Sequence, residues 1–121
     1  SIDDVLILNK AGTKVIMANK NATTYNIPNT VTEIGKNAFY GCSKITSITI
    51  PDSVTTIGAG AFESCSSLTE ITIPQSVTSI GSDAFVYCGK LMAINIKGEE
   101  GRISGGPWGA QYGNRVINWN V

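Results

Sequence analysis

Residues 50–72 read IPDSVTTIGAGAFESCSSLTEIT, and this pattern occurs three times in succession. Residues 27–49 read IPNTVTEIGKNAFYGCSKITSIT, and residues 73–95 read IPQSVTSIGSDAFVYCGKLMAIN, so each copy has 23 residues and no gap separates the copies. A fixed period of about 20–50 residues is typical of solenoid proteins, in which each copy forms one coil and buries its apolar side against the next. The sequence therefore predicts a stack of coils.

The hydrophobic pattern within one copy predicts how the coil folds. Ile71 and Ile73 alternate with polar residues, which indicates a strand with one apolar face, and Pro74 ends that strand because proline cannot donate to a ladder. Val54 and Ile57 precede a glycine and indicate a second short extended piece that closes in a glycine turn. The Ala-Phe-x-x-Cys segment that follows predicts a single turn of α or 3₁₀ helix.

The two ends of the array differ from its middle, as capping segments do. Residues 96–121 continue the period with Trp108 at the phenylalanine position, but they place Glu100, Gln111 and Asn114 at core positions. Residues 1–26 contain two apolar runs around a Lys-Ala-Gly-Thr turn, which predicts a β-hairpin. We therefore expect one domain with a hairpin cap at 1–26, three repeats at 27–95, and a degenerate capping repeat with a closing strand at 96–121.

Composition and charge exclude several classes of function. Nine basic residues balance nine acidic ones, so no basic field indicates nucleic acid, and no apolar run reaches the roughly 18 residues of a membrane span. The chain contains no histidine, which is the commonest general base and a common metal ligand. We predict that the protein is not an enzyme and uses no cofactor or metal.

The three cysteines, Cys42, Cys65 and Cys88, occupy one repeat position. A disulfide between neighbouring coils stays possible by spacing, but equivalent side chains point the same way and the count is odd. Zinc needs about four converging ligands, which three thiols in a row do not provide. The pattern favours reduced cysteines packed as small apolar side chains over one adjacent disulfide or a reactive thiol.

Two surfaces are candidates for binding a partner. The first is the outward face of the long strand, which is polar and nearly uncharged, and a solvated face without a ligand is the alternative. The second is a pair of aromatic residues at variable positions around Ala-Phe and Cys. The predicted strand face comprises Thr24, Asn26, Ser47, Thr49, Glu70, Thr72, Asn95 and Asn118, and the predicted aromatic patch comprises Tyr40 and Tyr87.

The three copies of Ile-Pro-x-(Ser/Thr)-Val-x-x-Ile-Gly-x-x-Ala-Phe-x-x-Cys, each followed by Ile/Leu-x-x-Ile-x-Ile or its close variant, resemble the BspA-type leucine-rich repeat family. The resemblance implies a right-handed, β-rich leucine-rich-repeat solenoid with short 3₁₀ or α turns. It also implies a surface or secreted protein of gut or oral bacteria or protists, with a role in adhesion and no shared catalytic activity. It carries no family-wide functional residues to this chain.

Together these observations predict a non-catalytic protein-interaction or adhesion module of a secreted or cell-surface protein, with the partner on the outward sheet face. The partner would be a host matrix protein, another cell-surface protein or a surface glycan, and the module would be a monomer. The alternative is a structural spacer of a larger surface protein with no ligand of its own. Because the chain begins at Ser1 without a signal-type segment, we expect a mature or excised part of its parent.

Overall fold

The structure is a computed structural model that describes residues 6–110 and 116–121. Within these ranges the chain forms short strands joined by turns, and the segments between them are irregular. The strands are β1 (Leu6–Leu8), β2 (Lys14–Ala18), β3 (Glu33–Ile34), β4 (Thr56–Ile57), β5 (Glu70–Ile73), β6 (Ser79–Ile80), β7 (Ala93–Ile96) and β8 (Ile117–Trp119).

The strands assemble into two sheets that run along the stack of coils. One sheet has the order β1-β2-β3-β4-β6, and the other has the order β5-β7-β8. Strands β1 and β2 form an antiparallel hairpin, and every other pairing is parallel. The parallel pairings beyond β2 join residues one repeat apart, as Ile34 pairs with Ile57 and Ile57 with Ile80, whereas β2 pairs with β3 at a separation of 19 residues, as Val15 pairs with Ile34. The predicted fold class is therefore confirmed as a leucine-rich-repeat solenoid with a hairpin at one end and a degenerate coil at the other.

The core consists of the repeated apolar positions stacked in columns. Phe39, Phe62 and Phe85 are completely buried, and their rings stack nearly parallel with centroid distances of 5.1 Å and 5.7 Å. Tyr25 and Trp108 close the two ends of this column with edge-on contacts at 5.1 Å and 6.4 Å. Each aromatic pair contributes about 0.5–1.5 kcal/mol beyond the burial of its area, so the column links the hairpin, the three repeats and the cap.

The Ala-Phe-x-x-Cys segment forms consecutive tight turns, and the structure assigns no helix there. Its N–H groups alternate in direction: every second one closes a turn inside the coil, and those between donate to carbonyls of the next coil. Ala38, Tyr40 and Cys42 donate within the coil to Gly35, Asn37 and Phe39, whereas Asn37, Phe39 and Gly41 donate to Ala59, Ala61 and Glu63. A helix would use all these donors internally, so the turns are favoured because they let the coils pair.

The glycine that follows each Val-x-x-Ile is required by the close approach of the neighbouring coil. A Cβ atom on Gly58 would lie 2.7 Å from the main-chain nitrogen of Lys36 and 2.9 Å from the carbonyl carbon of Gly35. On Gly81 it would lie 2.3 Å from the nitrogen of Ala59. Turns follow these glycines as the sequence predicts, but neither glycine has a left-handed backbone, so the missing Cβ matters for the spacing of the coils.

We expect Gly58→Ala to lower the free energy of unfolding by about 1–3 kcal/mol, the usual cost of overpacking, because the added methyl group meets fixed main-chain atoms. Urea unfolding followed by circular dichroism measures the change. Gly101→Ala is the comparison, since nothing lies within 4 Å of a Cβ atom there and only its left-handed backbone opposes the substitution. A Gly58→Ala loss no greater than that of Gly101→Ala would contradict the explanation by close approach.

At the C-terminal end, the side chain of Arg102 connects the cap to the last complete repeat through hydrogen bonds. Its guanidinium donates to the carbonyls of Pro74 and Val77 in the last complete repeat, and its Nε donates to the carbonyl of Lys97 at 2.7 Å. Ile103 and Trp108 are buried at the predicted core positions of the cap. Glu100, the polar residue at the valine position of the repeat, is exposed. The predicted polar positions Gln111 and Asn114 lie outside the described residues.

We expect Arg102→Ala to lower the free energy of unfolding by about 2 kcal/mol, because hydrogen bonds from a charged donor contribute about 1.5–3 kcal/mol and part of this loss is restored by water. Arg102→Lys should recover little, since an ammonium lacks the planar fork that reaches three carbonyls at once. Thermal unfolding of the three proteins checks this, and full rescue by lysine would show that charge alone suffices.

Candidate functional site on the three-stranded sheet

The outward face of the β5-β7-β8 sheet carries a row of polar side chains at equivalent repeat positions. Thr49 bridges to Thr72, Thr72 pairs with Asn95, and Asn95 pairs with Asn118. The Asn118 side-chain amide donates to Oδ1 of Asn95 at 2.9 Å. Because neighbouring parallel strands are about 4.8 Å apart, the row presents hydroxyl and amide groups at a regular spacing.

An open groove of about 740 Å³ lies on this face at the N-terminal side of the sheet. Three of the eight residues predicted for the strand face lie outside the groove lining: Thr24 and Asn118 are exposed elsewhere, and Asn95 is half-buried. The other five line the groove: Asn26, Ser47, Thr49, Glu70 and Thr72. The structure thus gathers most of the predicted face into one concavity.

Sequence reasoning missed the polar groove residues Asn29, Asp52 and Lys97 and the aromatic groove residue Tyr25. Asn29 and Asp52 share the variable position after the Ile-Pro pair, so their place in the repeat was a usable signal. Lys97 stands at the position that proline holds in the three repeats. The charged side chains of the groove are therefore Asp52, Glu70 and Lys97, with an excess of one negative charge.

Tyr25 occupies the inward position that isoleucine holds in the following coils, at Ile48, Ile71, Ile94 and Ile117. Its ring packs edge-on against Phe39, and its hydroxyl donates to the carbonyl of Asn19 at 2.5 Å. Burial, with a contact to the Cys42 side chain, raises the pKa of Tyr25 above its ordinary value of about 10. A large aromatic side chain thus forms the floor at one end of the groove.

The predicted aromatic residues Tyr40 and Tyr87 are both exposed, but no ring contact joins them among the described residues. Tyr40 instead lies under the ammonium of Lys20, which is 5.0 Å from the ring centroid. Tyr87 is 71% exposed and has a left-handed backbone with φ of 60°. A bulky residue seldom adopts that conformation, and the equivalent Gly41 adopts it readily.

The three cysteines are buried and free, so the alternative of a disulfide does not describe this structure. The thiols of Cys65 and Cys88 donate to the carbonyls of Phe39 and Phe62 in the preceding coil, at 3.2 Å and 3.0 Å. Burial raises the pKa of the Cys42 thiol, and hydrogen bonding with Cys88 together with burial raises that of Cys65. These two thiols are therefore neutral at physiological pH, which disfavours nucleophilic chemistry.

No three His, Cys, Asp or Glu side chains within residues 6–110 and 116–121 gather into a group that could hold a metal ion. Glu70, one of the two groove acids, pairs laterally with Ala93, and Ser47 stands at the equivalent position one repeat before it.

The part of the chain that the structure describes includes no helix long and apolar enough to cross a bilayer.

We expect stability to fall as the pH rises above about 9, the ordinary thiol value. The unfolded chain loses the protons of Cys42 and Cys65 near that pH, whereas the folded protein retains them until the higher folded-state pKa values are reached. The loss is at most about 1.4 kcal/mol per pH unit for each thiol.

Urea unfolding at pH 7, 8, 9 and 10 measures this dependence. The matched control is the Cys42→Ala/Cys65→Ala variant, which should be less stable at pH 7 but should lose less stability between pH 8 and pH 10. The same alkaline slope in both proteins would show that other groups cause the loss.

Comparison with solved structures gives two bacterial relatives that share the fold. A leucine-rich repeat protein from Eubacterium ventriosum ATCC 27560 is 33% identical and superposes with a TM-score of 0.75, covering 86% of this chain and 28% of that one. A leucine rich cell surface protein from Faecalibacterium prausnitzii A2-165 is 30% identical with a TM-score of 0.59, covering 75% of this chain and 30% of that one. This chain thus spans less than a third of the length of either protein.

No curated protein sequence matches this chain significantly. The profile described as a BspA type leucine rich repeat region (6 copies) matches residues 12–106, which include the three repeats and the second strand of the hairpin. The match extends over most of the chain and agrees with the stacked coils, the Ile-Pro strand ends and the Ala-Phe-x-x-Cys turns described above. The chain therefore belongs to the BspA-type leucine-rich repeat family.

Proposed function

We propose that this protein is a non-catalytic interaction or adhesion module that binds a partner on the outward face of the β5-β7-β8 sheet. The observation that carries the proposal is the groove of about 740 Å³, which collects five side chains that the repeat pattern had already marked as outward-facing and polar. Solenoids commonly bind partners along such extended surfaces.

The chemistry of the groove suits recognition of a polar surface. Thr49 and Thr72 are β-branched and short, so they lose little conformational freedom when a partner covers them. Their fixed spacing on paired strands holds the hydroxyl groups in place before binding, which lowers the cost of association. Asp52 and Glu70 add charge that favours a partner with basic groups.

A catalytic role has less support. The chain contains no histidine, and two of the three thiols are held neutral by their surroundings. The groove acids lie at opposite ends of the strands. Glu70 comes directly before the inward isoleucines of its strand, and Asp52 comes after the inward isoleucines of the preceding coil. A general acid and base need to converge on one reacting bond, and this arrangement does not favour such a pair.

We propose a location on the cell surface and a protein as the partner. The Faecalibacterium prausnitzii relative is described as a cell surface protein, and the groove offers main-chain and polar side-chain contacts of the kind that proteins use. A matrix protein of a host or a surface protein of another cell fits this description, and a surface glycan is the competing class that the experiment below distinguishes.

The alternative function is a structural spacer within a longer surface protein. The observation that favours it is the coverage of only 28% and 30% of the two solved relatives, which shows that such coils occur as parts of longer chains. A spacer needs a stable stack but no ligand, so the groove would then be a solvated sheet face. Substitutions in the groove distinguish the two functions.

The test is the variant Thr49→Arg/Glu70→Lys/Thr72→Arg, assayed for binding to an array of matrix proteins and glycans. We expect at least a tenfold loss of affinity for the protein that the native module binds, because three long cations fill the groove and reverse its charge. Circular dichroism should show an intact fold, since all three residues are exposed.

The matched control is Ser43→Arg/Glu63→Lys/Ser66→Arg, which makes the same change in charge on the turn side of the coils. It should bind like the native module. Undiminished binding by the groove variant would place the site elsewhere. Binding of the native module to glycans alone would show that the partner is a glycan and not a protein. No binding by the native module would favour the spacer.

A further inference from the structure

The two sheets differ at their N-terminal ends. The β1-β2-β3-β4-β6 sheet is continuous from the hairpin through all three repeats. In the other sheet the first link is the isolated bridge between Thr49 and Thr72, and no strand pairing joins residues 24–27 to residues 47–50. One rung that the repeat pattern predicts is therefore open.

The main chain at this open rung has no partner among the described residues. Thr24, Tyr25, Asn26 and Ile27 make no main-chain hydrogen bond there, although the side chain of Ile27 is only 7% exposed and belongs to the core. Asn26 and Ile27 line the groove together with Ile48 and Ile50 of the next coil. Three of these four residues, Tyr25, Asn26 and Ile27, line the groove, and their main-chain donors and acceptors are unused, as at the free edge of a sheet.

Tyr25 distinguishes the open rung from the rungs that follow it. At the same position in the next two coils, Ile48 and Ile71 lie under rungs that are bridged or paired, and only Tyr25 carries an aromatic ring. That ring lies between the first coil and the end of the phenylalanine column, held by Phe39 on one side and by the Asn19 carbonyl at its hydroxyl. A phenol is larger than the isoleucine side chain, which gives a physical reason for the missing strand pairing.

We propose that the open rung accepts an extended peptide segment of the partner protein. The segment forms main-chain hydrogen bonds with residues 24–27 and places a basic side chain near Asp52 and Glu70. This inference deepens the proposed function and rests on it. A strand added to a free edge gains affinity from its main chain and specificity from alternate side chains.

The observations favour a peptide over a glycan. A glycan uses side-chain hydroxyl, amide and carboxylate groups and has no need of free main-chain groups in extended geometry. The open rung supplies a run of such groups, and the groove beside it carries the acids Asp52 and Glu70 with only Lys97 to balance them. Both features match a peptide strand that carries net positive charge.

The experiment uses the whole chain and a library of random octapeptides blocked at both ends. Peptides selected on the native protein are resynthesised with N-methyl groups at the odd or at the even amides. Because a strand paired on one edge uses every second amide, one series should bind at least tenfold more weakly and the other should change less than threefold. The selected peptides should also contain lysine or arginine, and replacing these with glutamate should weaken binding at least tenfold.

Substitution of Tyr25 tests the opening itself. Tyr25→Ile should close the rung, weaken the selected peptide at least tenfold, and slow amide hydrogen exchange of residues 47–50. Tyr25→Phe keeps the ring but loses the hydrogen bond to Asn19, and it should weaken binding less than Tyr25→Ile does. Tyr40→Ile, which removes an exposed ring on another side, is the matched control and should not change binding.

The proposal would be overturned if both N-methyl series bound equally weakly or if neither series lost affinity. Native affinity in a Tyr25→Ile protein whose amides at residues 47–50 have become protected would also overturn it. Should Tyr25→Ile fail to fold, the N-methyl series still decides the result. Loss of array binding in the Thr49→Arg/Glu70→Lys/Thr72→Arg variant, combined with peptides that ignore N-methylation, would keep the proposed function and reject the strand pairing. Peptide binding that survives the triple variant would reject the groove as the site of both.

Discussion

Hydrogen bonds between equivalent main-chain groups one repeat apart are the constraint on which this structure depends. Thr55 donates to the carbonyl of Thr32, and Thr78 donates to that of Thr55, with N···O distances of 2.8 Å and 2.9 Å. The spacing of about 4.8 Å that such a ladder imposes brings each side chain onto its counterpart in the next coil. Phenylalanine therefore stacks on phenylalanine and cysteine follows cysteine, because equivalent side chains of neighbouring coils occupy the same place in the core.

The same ladder explains why the turns are not helices and why certain glycines are needed. Alternate N–H groups of the Ala-Phe-x-x-Cys segment must donate outward to the next coil, so the segment folds as consecutive turns. Where Gly35 and Gly58 face each other across coils, main-chain atoms come so close that a methyl group on Gly58 has no room. At the C-terminal end, Arg102 of the cap adds side-chain hydrogen bonds to the carbonyls of Pro74 and Val77 in the last complete repeat.

Recognition in this protein depends on where the regular pattern is kept and where it is broken. The row from Thr49 to Asn118 is a product of regularity, since identical strands present short polar groups at equal steps. The groove lies where the regular pattern is broken, since Tyr25 replaces an isoleucine and no strand pairing joins residues 24–27 to residues 47–50.

The sequence by itself determined the coil length, the core columns and the outward row, because a period of 23 residues requires equivalent side chains to share one environment. It also indicated five residues of the groove through their alternation with buried isoleucines. Only the tertiary structure decided the open rung at residues 24–27, the contact of Arg102 with carbonyls some 25–28 residues away, and the separation of Tyr40 from Tyr87. These features depend on how the ends of the stack meet the repeats, and a local pattern carries no information about where an unpaired donor or an oversized ring will find its partner.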